Sequence, residues 1–217
     1  DTQADASLQD ELDVVALRGF VWLRFPWGLE MRYQQDTAPA RLANLKVMGW
    51  IAIFLGQAFT ITDWMMVPDQ LMFGFLWRLG LLVPMIACWT WLMPRLAPAA
   101  RERGVQVLSW IFGIIVAAQV VRSQSPLAPA YLIALGTFIL VNGGMLRVRF
   151  WNALVIDLGL LALYLAATMM LPNPSVPLMV SILITLVATS VFTLWGAYSM
   201  EHSARNVWLG QQHTHRS

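Results

Sequence analysis

Residues 61–80 read ITDWMMVPDQLMFGFLWRLG and contain the turn on which the fold depends. One apolar run ends here, the chain turns at VPDQ, and a second apolar run begins. Two apolar runs joined by a short turn that contains a proline predict a hairpin of two helices. The acids Asp63 and Asp69 lie beside the turn, and Arg78 lies well inside the second run. The sequence therefore raises the question of what keeps a cation there.

The composition extends this hairpin to the whole chain. Of the 217 residues, 58% are hydrophobic and 12% are charged, against about 25% charged in soluble domains. About 20 apolar residues suffice to cross a bilayer. The windows that approach or exceed this length are 45–66, 71–93, 105–121, 127–146, 151–171 and 177–200. The sequence thus predicts an all-α polytopic membrane protein, with six transmembrane helices in three hairpins after an interfacial helical segment.

Basic residues set the expected orientation, because lysine and arginine resist translocation and mark cytoplasmic loops. All of them except Arg78 and Arg122 fall on the side that holds both termini. We therefore expect both termini in the cytoplasm, and we ascribe the pI near 9.0 to this bias rather than to nucleic-acid binding. The expected domains are a lead-in at 1–44, a transmembrane domain at 45–200 and the start of an output helix at 201–217.

Three segments outside the first hairpin carry local signals. The lead-in alternates bulky apolar residues with arginines, which suits a segment at the membrane interface. Gly136 and Gly143 lie two turns apart on one helical face, so a neighbouring helix can approach closely there. Glu201 and Arg205 have the i, i+4 spacing that supports a helix leaving the membrane.

Arg78 is the residue most in need of an explanation. A rise of about 1.5 Å per residue places it roughly 10 Å inside the bilayer. A cation at mid-membrane costs about 2.5–3.5 kcal/mol, so we expect it to face a partner or a wet cavity. Other polar and aromatic residues fall at similar depth or beside the turns. The candidate ligand-binding residues are Arg78, Asp63, Asp69, Gln57, Trp77, Gln119, Arg122, Tyr131 and Tyr164.

Three roles for Arg78 remain open from the sequence. It could anchor a carboxylate or another polar ligand in an outward-facing pocket, with Asp63 or Asp69 as its resting partner. It could form a structural bridge to either acid and tie the first hairpin together. A contact with another subunit is the third role.

Motifs of soluble enzymes are missing from the sequence. There is no phosphate-binding G-x-x-x-x-G-K-S/T, no G-x-S-x-G, no H-E-x-x-H and no dinucleotide-binding G-x-G-x-x-G. No catalytic residue, metal site or cofactor is therefore assigned to these 217 residues. The single cysteine, Cys88, excludes an intramolecular disulfide.

Several segments, taken in order, resemble a known family. They are RFPWGLEMRYQQDTAPARL at 24–42, TDWMMVPDQ at 62–70, WRLGLLVP at 77–84, SPLAPAY at 125–131, LRVRFWNAL at 146–154 and YSMEHSARNVWL at 198–209. Their order and spacing are similar to the six-helix, MASE-like membrane sensor region at the N-terminus of bacterial diguanylate cyclases. The residues that match by position are Asp63, Asp69, Arg78, Pro84, Arg147 and Trp151.

The resemblance implies a sensory and dimerisation module in the bacterial inner membrane. Its sixth helix would regulate a C-terminal GGDEF domain that makes cyclic di-GMP from two GTP, with GTP and Mg²⁺ bound in that domain. No GGDEF motif occurs in these residues. Because the two GTP-loaded domains must face each other, the expected partners are the lipid bilayer, a second copy of the chain and an unidentified small molecule.

Three alternatives stay open at this stage, one of which is a purely structural anchor that binds no ligand and only dimerises and localises the enzyme. Similar six-helix regions also precede class III adenylate cyclase domains, so the chain could anchor and regulate such an enzyme. A small transporter or channel is the rival from another class. Its path would have to cross the whole bilayer, whereas the ionisable residues divide into a group around Arg78 and an isolated Asp157.

Overall fold

The apolar windows form long helices. A computed structural model describes residues 2–214; helix makes up 88% of this described part, which contains no strand. The helical stretches are α1 (Thr2–Arg18), α2 (Trp27–Met66), α3 (Pro68–Arg95), α4 (Pro98–Arg122), α5 (Ala128–Met145), α6 (Phe150–Met170) and α7 (Val176–Thr214). Pro26 directly precedes α2, as expected of a residue whose fixed φ suits the start of a helix.

Six of these stretches, α2 to α7, are long and apolar enough to cross a membrane. This confirms the predicted all-helical class and the predicted number of such helices. The structure differs from the windows mainly in length. Both α2 and α7 extend well past their apolar windows, with 40 and 39 residues respectively.

The chain divides into two compact units. Among the described residues, unit 1 contains 2–43 and 198–214, and unit 2 contains 44–197. Helices α2 and α7 contribute residues to both.

Unit 2 is built around α4, which packs along α6 and against α3 and α5. Its core contains three phenylalanines, Phe59, Phe112 and Phe138, whose ring centroids lie 4.2–5.6 Å apart. The aliphatic side chains Val116, Leu135 and others from the same helices are fully buried beside them. Aromatic pairs at this separation add to the stabilisation from apolar burial.

Small residues on α5 allow α7 to come close within unit 2. A Cβ on Gly143 would lie 2.6 Å from the Thr193 Cβ, and one on Gly136 would lie 3.2 Å from a Leu186 methyl group. The predicted close approach of a neighbouring helix at these two glycines is confirmed, and that neighbour is α7.

Two π-helical turns interrupt the regular helices of unit 2. In α3 the turn covers Arg78–Leu82, and the Val83 N–H donates to the Arg78 carbonyl. In α5 it covers Val141–Met145, and the Leu146 N–H donates to the Val141 carbonyl at 2.9 Å. Such turns are frequent at functional sites because they redirect side chains within a helix. Here the first begins at Arg78.

Unit 1 joins the lead-in to the end of α7. The Glu11 carboxylate accepts from the Leu29 N–H at 2.8 Å, which holds α1 to the start of α2. The Tyr198 hydroxyl donates to the Val21 carbonyl at 2.9 Å. The Trp208 indole N–H donates to the Asp36 carboxylate at 3.0 Å. The lead-in is therefore a folded part of unit 1.

Arg205 is the centre of unit 1 and is 2% exposed. Its guanidinium donates twice to Glu30, at 2.7 and 3.1 Å, and to Glu201 at 3.0 Å. It also lies 4.7 Å from the Phe25 ring centroid and 4.5 Å from the Tyr33 ring centroid. We call Arg205, Glu30, Glu201, Phe25 and Tyr33 the arginine clamp. The sequence predicted only the Glu201–Arg205 pair of this arrangement.

Candidate functional site

The candidate site is an ion pair with no exposure to solvent. Asp63 lies in the last turn of α2, and Arg78 is the first residue of the π turn in α3. Both side chains are 0% exposed, and a guanidinium Nη of Arg78 donates to Asp63 Oδ2. Of the two acids that the sequence offered to Arg78, the structure pairs it with Asp63.

Side chains from two more helices also donate hydrogen bonds to the Asp63 carboxylate. The Tyr131 hydroxyl of α5 donates to Asp63 Oδ1, and the Gln119 amide of α4 donates to Asp63 Oδ2 at 2.9 Å. Tyr131 and Gln119 are also fully buried, at 1% and 0% exposure. One carboxylate thus receives donors from α3, α4 and α5, and it fixes how these helices meet α2.

The guanidinium has more donors than the carboxylate uses. Besides Asp63, Arg78 reaches the Thr60 hydroxyl at 3.5 Å. Its Nε and its other Nη have no acceptor among residues 2–214. The side-chain carbonyl of Gln119 likewise has no donor among these residues. A buried donor without an acceptor costs about 1–3 kcal/mol. The site therefore has hydrogen-bonding groups that the ion pair leaves unused. A polar ligand, or a switch between two arrangements, can use these groups.

Gly74 makes room for this arrangement, and the sequence analysis missed it. A Cβ on Gly74 would lie 2.1 Å from Gln119 Nε2 and 2.7 Å from Asp63 Oδ2. The sequence does contain a signal for this role: Gly74 precedes Arg78 by four residues, so the two residues lie on the same helical face. A glycine inside an apolar helical run often marks a close approach.

Replacing Gly74 with alanine is expected to destabilise unit 2 by about 1–3 kcal/mol, because the methyl group must displace the Gln119 amide. Gly80, on the same helix, is the matched control, since a Cβ there would have nothing within 4 Å. Gly80→Ala should be neutral or stabilise by up to about 1 kcal/mol. Thermal unfolding in detergent measures both, and equal midpoints would contradict the steric role of Gly74.

Asp69 belongs to a separate surface cluster. It is exposed, and it accepts from the Ser123 hydroxyl at 2.6 Å and from the Gln124 N–H at 2.8 Å. Gln70 donates from the same turn to the Arg122 carbonyl at 3.4 Å. These bonds tie the first turn of α3 to the end of α4. Asp69 does not contact Arg78 in this arrangement.

The remaining candidates lie apart from the ion pair. The exposed Arg122 guanidinium stacks 5.0 Å from the Phe73 ring centroid, and Trp77 is 47% exposed. The Tyr164 hydroxyl is buried and donates to the Met179 carbonyl at 2.6 Å, which joins α6 to α7. Gln57 is half-buried, and its amide nitrogen has no acceptor among the described residues.

The site's chemistry is that of a charge-based contact between helices. The hydroxyl and amide groups around Asp63 donate to a carboxylate, and none of them adjoins a nucleophile–base pair of the kind that covalent catalysis uses. A competing acceptor at Arg78 would weaken the attraction that joins α2 and α3.

No family model, no curated protein and no solved structure matches this chain.

Proposed function

We propose that the chain is a membrane-embedded sensory and dimerisation module that regulates a C-terminal diguanylate cyclase domain. One observation carries the proposal. Helix α7 runs without interruption from Val176 to Thr214, through the last apolar window and into the arginine clamp. At about 1.5 Å per residue, its 39 residues make a helix roughly 58 Å long, about twice the thickness of a bilayer core.

A continuous helix of this length suits the transfer of a signal. A continuous helix can carry a rotation or a shift along its length, and α7 contains no proline after Pro177. The arginine clamp holds the far part of α7 through Arg205, and a hydrogen bond from Trp208 to Asp36 holds it further along. The module would thus pass the state of the bundle to whatever follows Thr214. Cyclic di-GMP synthesis as the output comes from the family resemblance.

An apolar stripe on α7 supports the homodimer that this output needs. The side chains share exposure of 43–68% and a spacing of three or four residues; they are Val180, Ile184, Val187, Val191 and Trp195. Such a stripe suits contact with lipid or with the same helix of a second copy. In this proposal the protein lies in the bacterial inner membrane, with both termini in the cytoplasm.

The buried ion pair is the proposed sensing element. A ligand or a change in the bundle can shift the balance between two arrangements only through a difference in its affinity for them. Arg78 has unused donors and Asp63 accepts from side chains of three other helices, so the pair is placed to provide that difference.

The test joins a GGDEF catalytic domain after the full chain and measures cyclic di-GMP in cells that lack other cyclases. Tyr131→Phe removes one hydrogen bond to Asp63 and is expected to change the output about fivefold, the lower range of allosteric coupling. Tyr164→Phe is the matched control, because it removes an equally buried hydroxyl that does not touch the ion pair.

Equal output from the Tyr131→Phe and Tyr164→Phe fusions, at equal amounts of folded protein, would remove the sensing role of the ion pair. Substrate-coupled flux through liposomes that contain the chain would replace the signalling proposal with a transporter.

A further inference from the structure

Helices α4 and α6 of unit 2 lie side by side and run in the same direction. The Gln106 side-chain amide donates to the Asn152 side-chain carbonyl at 2.7 Å. One turn further along both helices, the Trp110 indole N–H donates to the Ile156 carbonyl at 3.3 Å. Because the residue numbers rise together from one contact to the next, the two helices are parallel. Their first turns therefore lie at the same end of unit 2.

This end of unit 2 is strongly basic. The two segments that begin α4 and α6, 93–104 and 145–152, contain five arginines and one acid. The acid, Glu102, is buried, and so is Arg101, whose Nε donates to the Met93 carbonyl at 2.8 Å. The other four arginines lie at the surface, one of them half-buried; they are Arg95, Arg103, Arg147 and Arg149. An anion is therefore the kind of ligand that this end attracts.

Two of these arginines flank the contact between α4 and α6. Arg103 precedes Gln106 by three residues, and Arg149 precedes Asn152 by three. Side chains three positions apart are neighbours on a helix. Arg103 and Arg149 therefore lie on opposite sides of the α4–α6 contact, one turn nearer the helix ends than the Gln106–Asn152 hydrogen bond. Packed helices have axes about 8–10 Å apart, so two long arginine side chains can reach one anion between them.

Neither arginine is neutralised within the described part of the chain. The guanidinium groups of Arg103 and Arg149 form no ion pair or hydrogen bond with residues 2–214. Two cations at this separation repel each other, and an anion between them replaces that repulsion with attraction. The orientation rule for membrane proteins explains on which side arginines collect, but it does not require two of them to meet at one helix contact. Arginine binds a phosphate through two parallel hydrogen bonds, so a phosphate suits this pair.

The two guanidinium groups lie at the depth of lipid headgroups when the helices span a membrane. The apolar window of α4 begins at Val105, two residues after Arg103. At the end of α3, Trp91 is 66% exposed, and the Arg95 guanidinium lies 4.7 Å from its ring centroid. Exposed tryptophans mark the interface between hydrocarbon and headgroups. The arginine pair is thus level with the phosphates of the lipids.

Apolar side chains continue from the arginine pair toward the middle of the membrane. They lie on α4 and α6 and share exposure of 42–57%; they are Val107, Ile114, Val155 and Leu158. Such side chains suit contact with acyl chains, whereas a soluble phosphate would leave them unused. Basic pockets between transmembrane helices bind phospholipid headgroups. The combination of a charged end and an apolar flank therefore favours a lipid over a free phosphate.

We propose that Arg103 and Arg149 form a binding site for one anionic phospholipid, with its phosphate between the two guanidinium groups and its acyl chains along α4 and α6. The proposal rests on the membrane location given in the proposed function, and not on the signalling output. A chain that spans a membrane without regulating a cyclase would still have this site.

Binding is measured by native mass spectrometry of the full chain in an uncharged detergent. Phosphatidylglycerol and phosphatidylcholine with the same acyl chains are the two probes, since only the first has a net negative charge. We expect one phosphatidylglycerol per chain to bind saturably, and at least about fivefold more tightly than phosphatidylcholine. Equal affinities for the two lipids would overturn the proposal.

Three variants locate the site. Arg103→Gln and Arg149→Gln should each weaken the binding of phosphatidylglycerol about fivefold, which is the contribution of one arginine near an anionic headgroup. Arg95→Gln is the matched control, because it removes the same charge from the same end of unit 2 but away from the α4–α6 contact. Equal weakening by all three variants would reject a site at this contact in favour of a diffuse attraction. The comparison of the two lipids on the unaltered chain decides the matter if a variant fails to fold.

A competition experiment distinguishes a lipid from a soluble phosphate. Glycerol 3-phosphate carries a phosphate ester without acyl chains, and a large excess of it should leave most of the bound phosphatidylglycerol in place. Complete displacement would assign the arginine pair to a soluble phosphate ester and would overturn the lipid proposal. Cyclic di-GMP plays no part in these measurements, so their failure is distinct from a failure of the signalling proposal.

Discussion

Asp63→Ala is expected to lower the free energy of unfolding of unit 2 by about 3–5 kcal/mol. The substitution leaves the Arg78 guanidinium at 0% exposure without its carboxylate, and it removes the acceptor of Tyr131 and Gln119. An uncompensated buried charge costs far more than a lost surface contact. The effect should appear as a lower midpoint in unfolding by a denaturing detergent, followed by tryptophan fluorescence.

Two controls distinguish the effect of leaving a buried charge unpaired from the effect of removing an acidic side chain. Asp63→Leu combined with Arg78→Met removes both charges, and we expect it to recover most of the loss, because a well-packed apolar pair can replace a buried ion pair. Asp69→Ala removes an exposed carboxylate three residues after the end of α2 and should cost no more than about 1 kcal/mol. A double variant as unstable as Asp63→Ala would contradict the explanation.

Arg205→Ala should be the most damaging change in unit 1, with an expected cost of about 3 kcal/mol. The loss leaves Glu30 and Glu201 without their shared cation, and it removes the stacking partner of Phe25 and Tyr33. Hydrogen exchange of backbone amides in residues 20–36 and 198–212 measures the effect, which should appear as faster exchange in both segments.

Arg205→Lys keeps the positive charge but loses the planar guanidinium that donates to two carboxylates and stacks on two rings. We therefore expect exchange rates between those of the unaltered chain and those of Arg205→Ala. Arg32→Ala is the matched control on α2, because Arg32 takes no part in the arginine clamp. If the exchange rates of Arg205→Ala equal those of Arg32→Ala, the clamp does not hold unit 1 together.

Hydropathy was enough to predict the helices, because the need to bury about 20 apolar residues is a local property of each window. The choice between Asp63 and Asp69 was not open to the same argument. Both lie near the turn, and the packing of α2 against α3 decides whether Asp63 reaches Arg78. A single sequence does not report this packing between helices.

The arginine clamp shows a second limit. Glu201 and Arg205 are four residues apart, so the sequence alone predicts that they pair. Glu30 is 175 residues away from Arg205, and no local spacing predicts its contact with Arg205. The mixture of tryptophan and arginine in the lead-in predicts a segment at a membrane interface. In the structure Phe20 and Phe25 are buried in unit 1, while Trp22 and Trp27 stay exposed at 73% and 79%. An amphipathic pattern does not predict whether the apolar side packs against lipid or against other residues of the protein.

The π turns were also beyond the sequence argument, because hydropathy is blind to the pattern of backbone hydrogen bonds. Local residues accompany them nonetheless: Pro84, which lacks an N–H, follows the turn in α3, and Gly143 and Gly144 lie within the turn in α5.

Cys88 gives the protein a practical property. It is the chain's single cysteine, and its side chain is exposed on α3. A nitroxide label attached there needs no substitution and gives one spin per polypeptide. Any dipolar coupling between spins must then arise between separate chains, so pulsed electron resonance would read the assembly state of the unaltered protein directly.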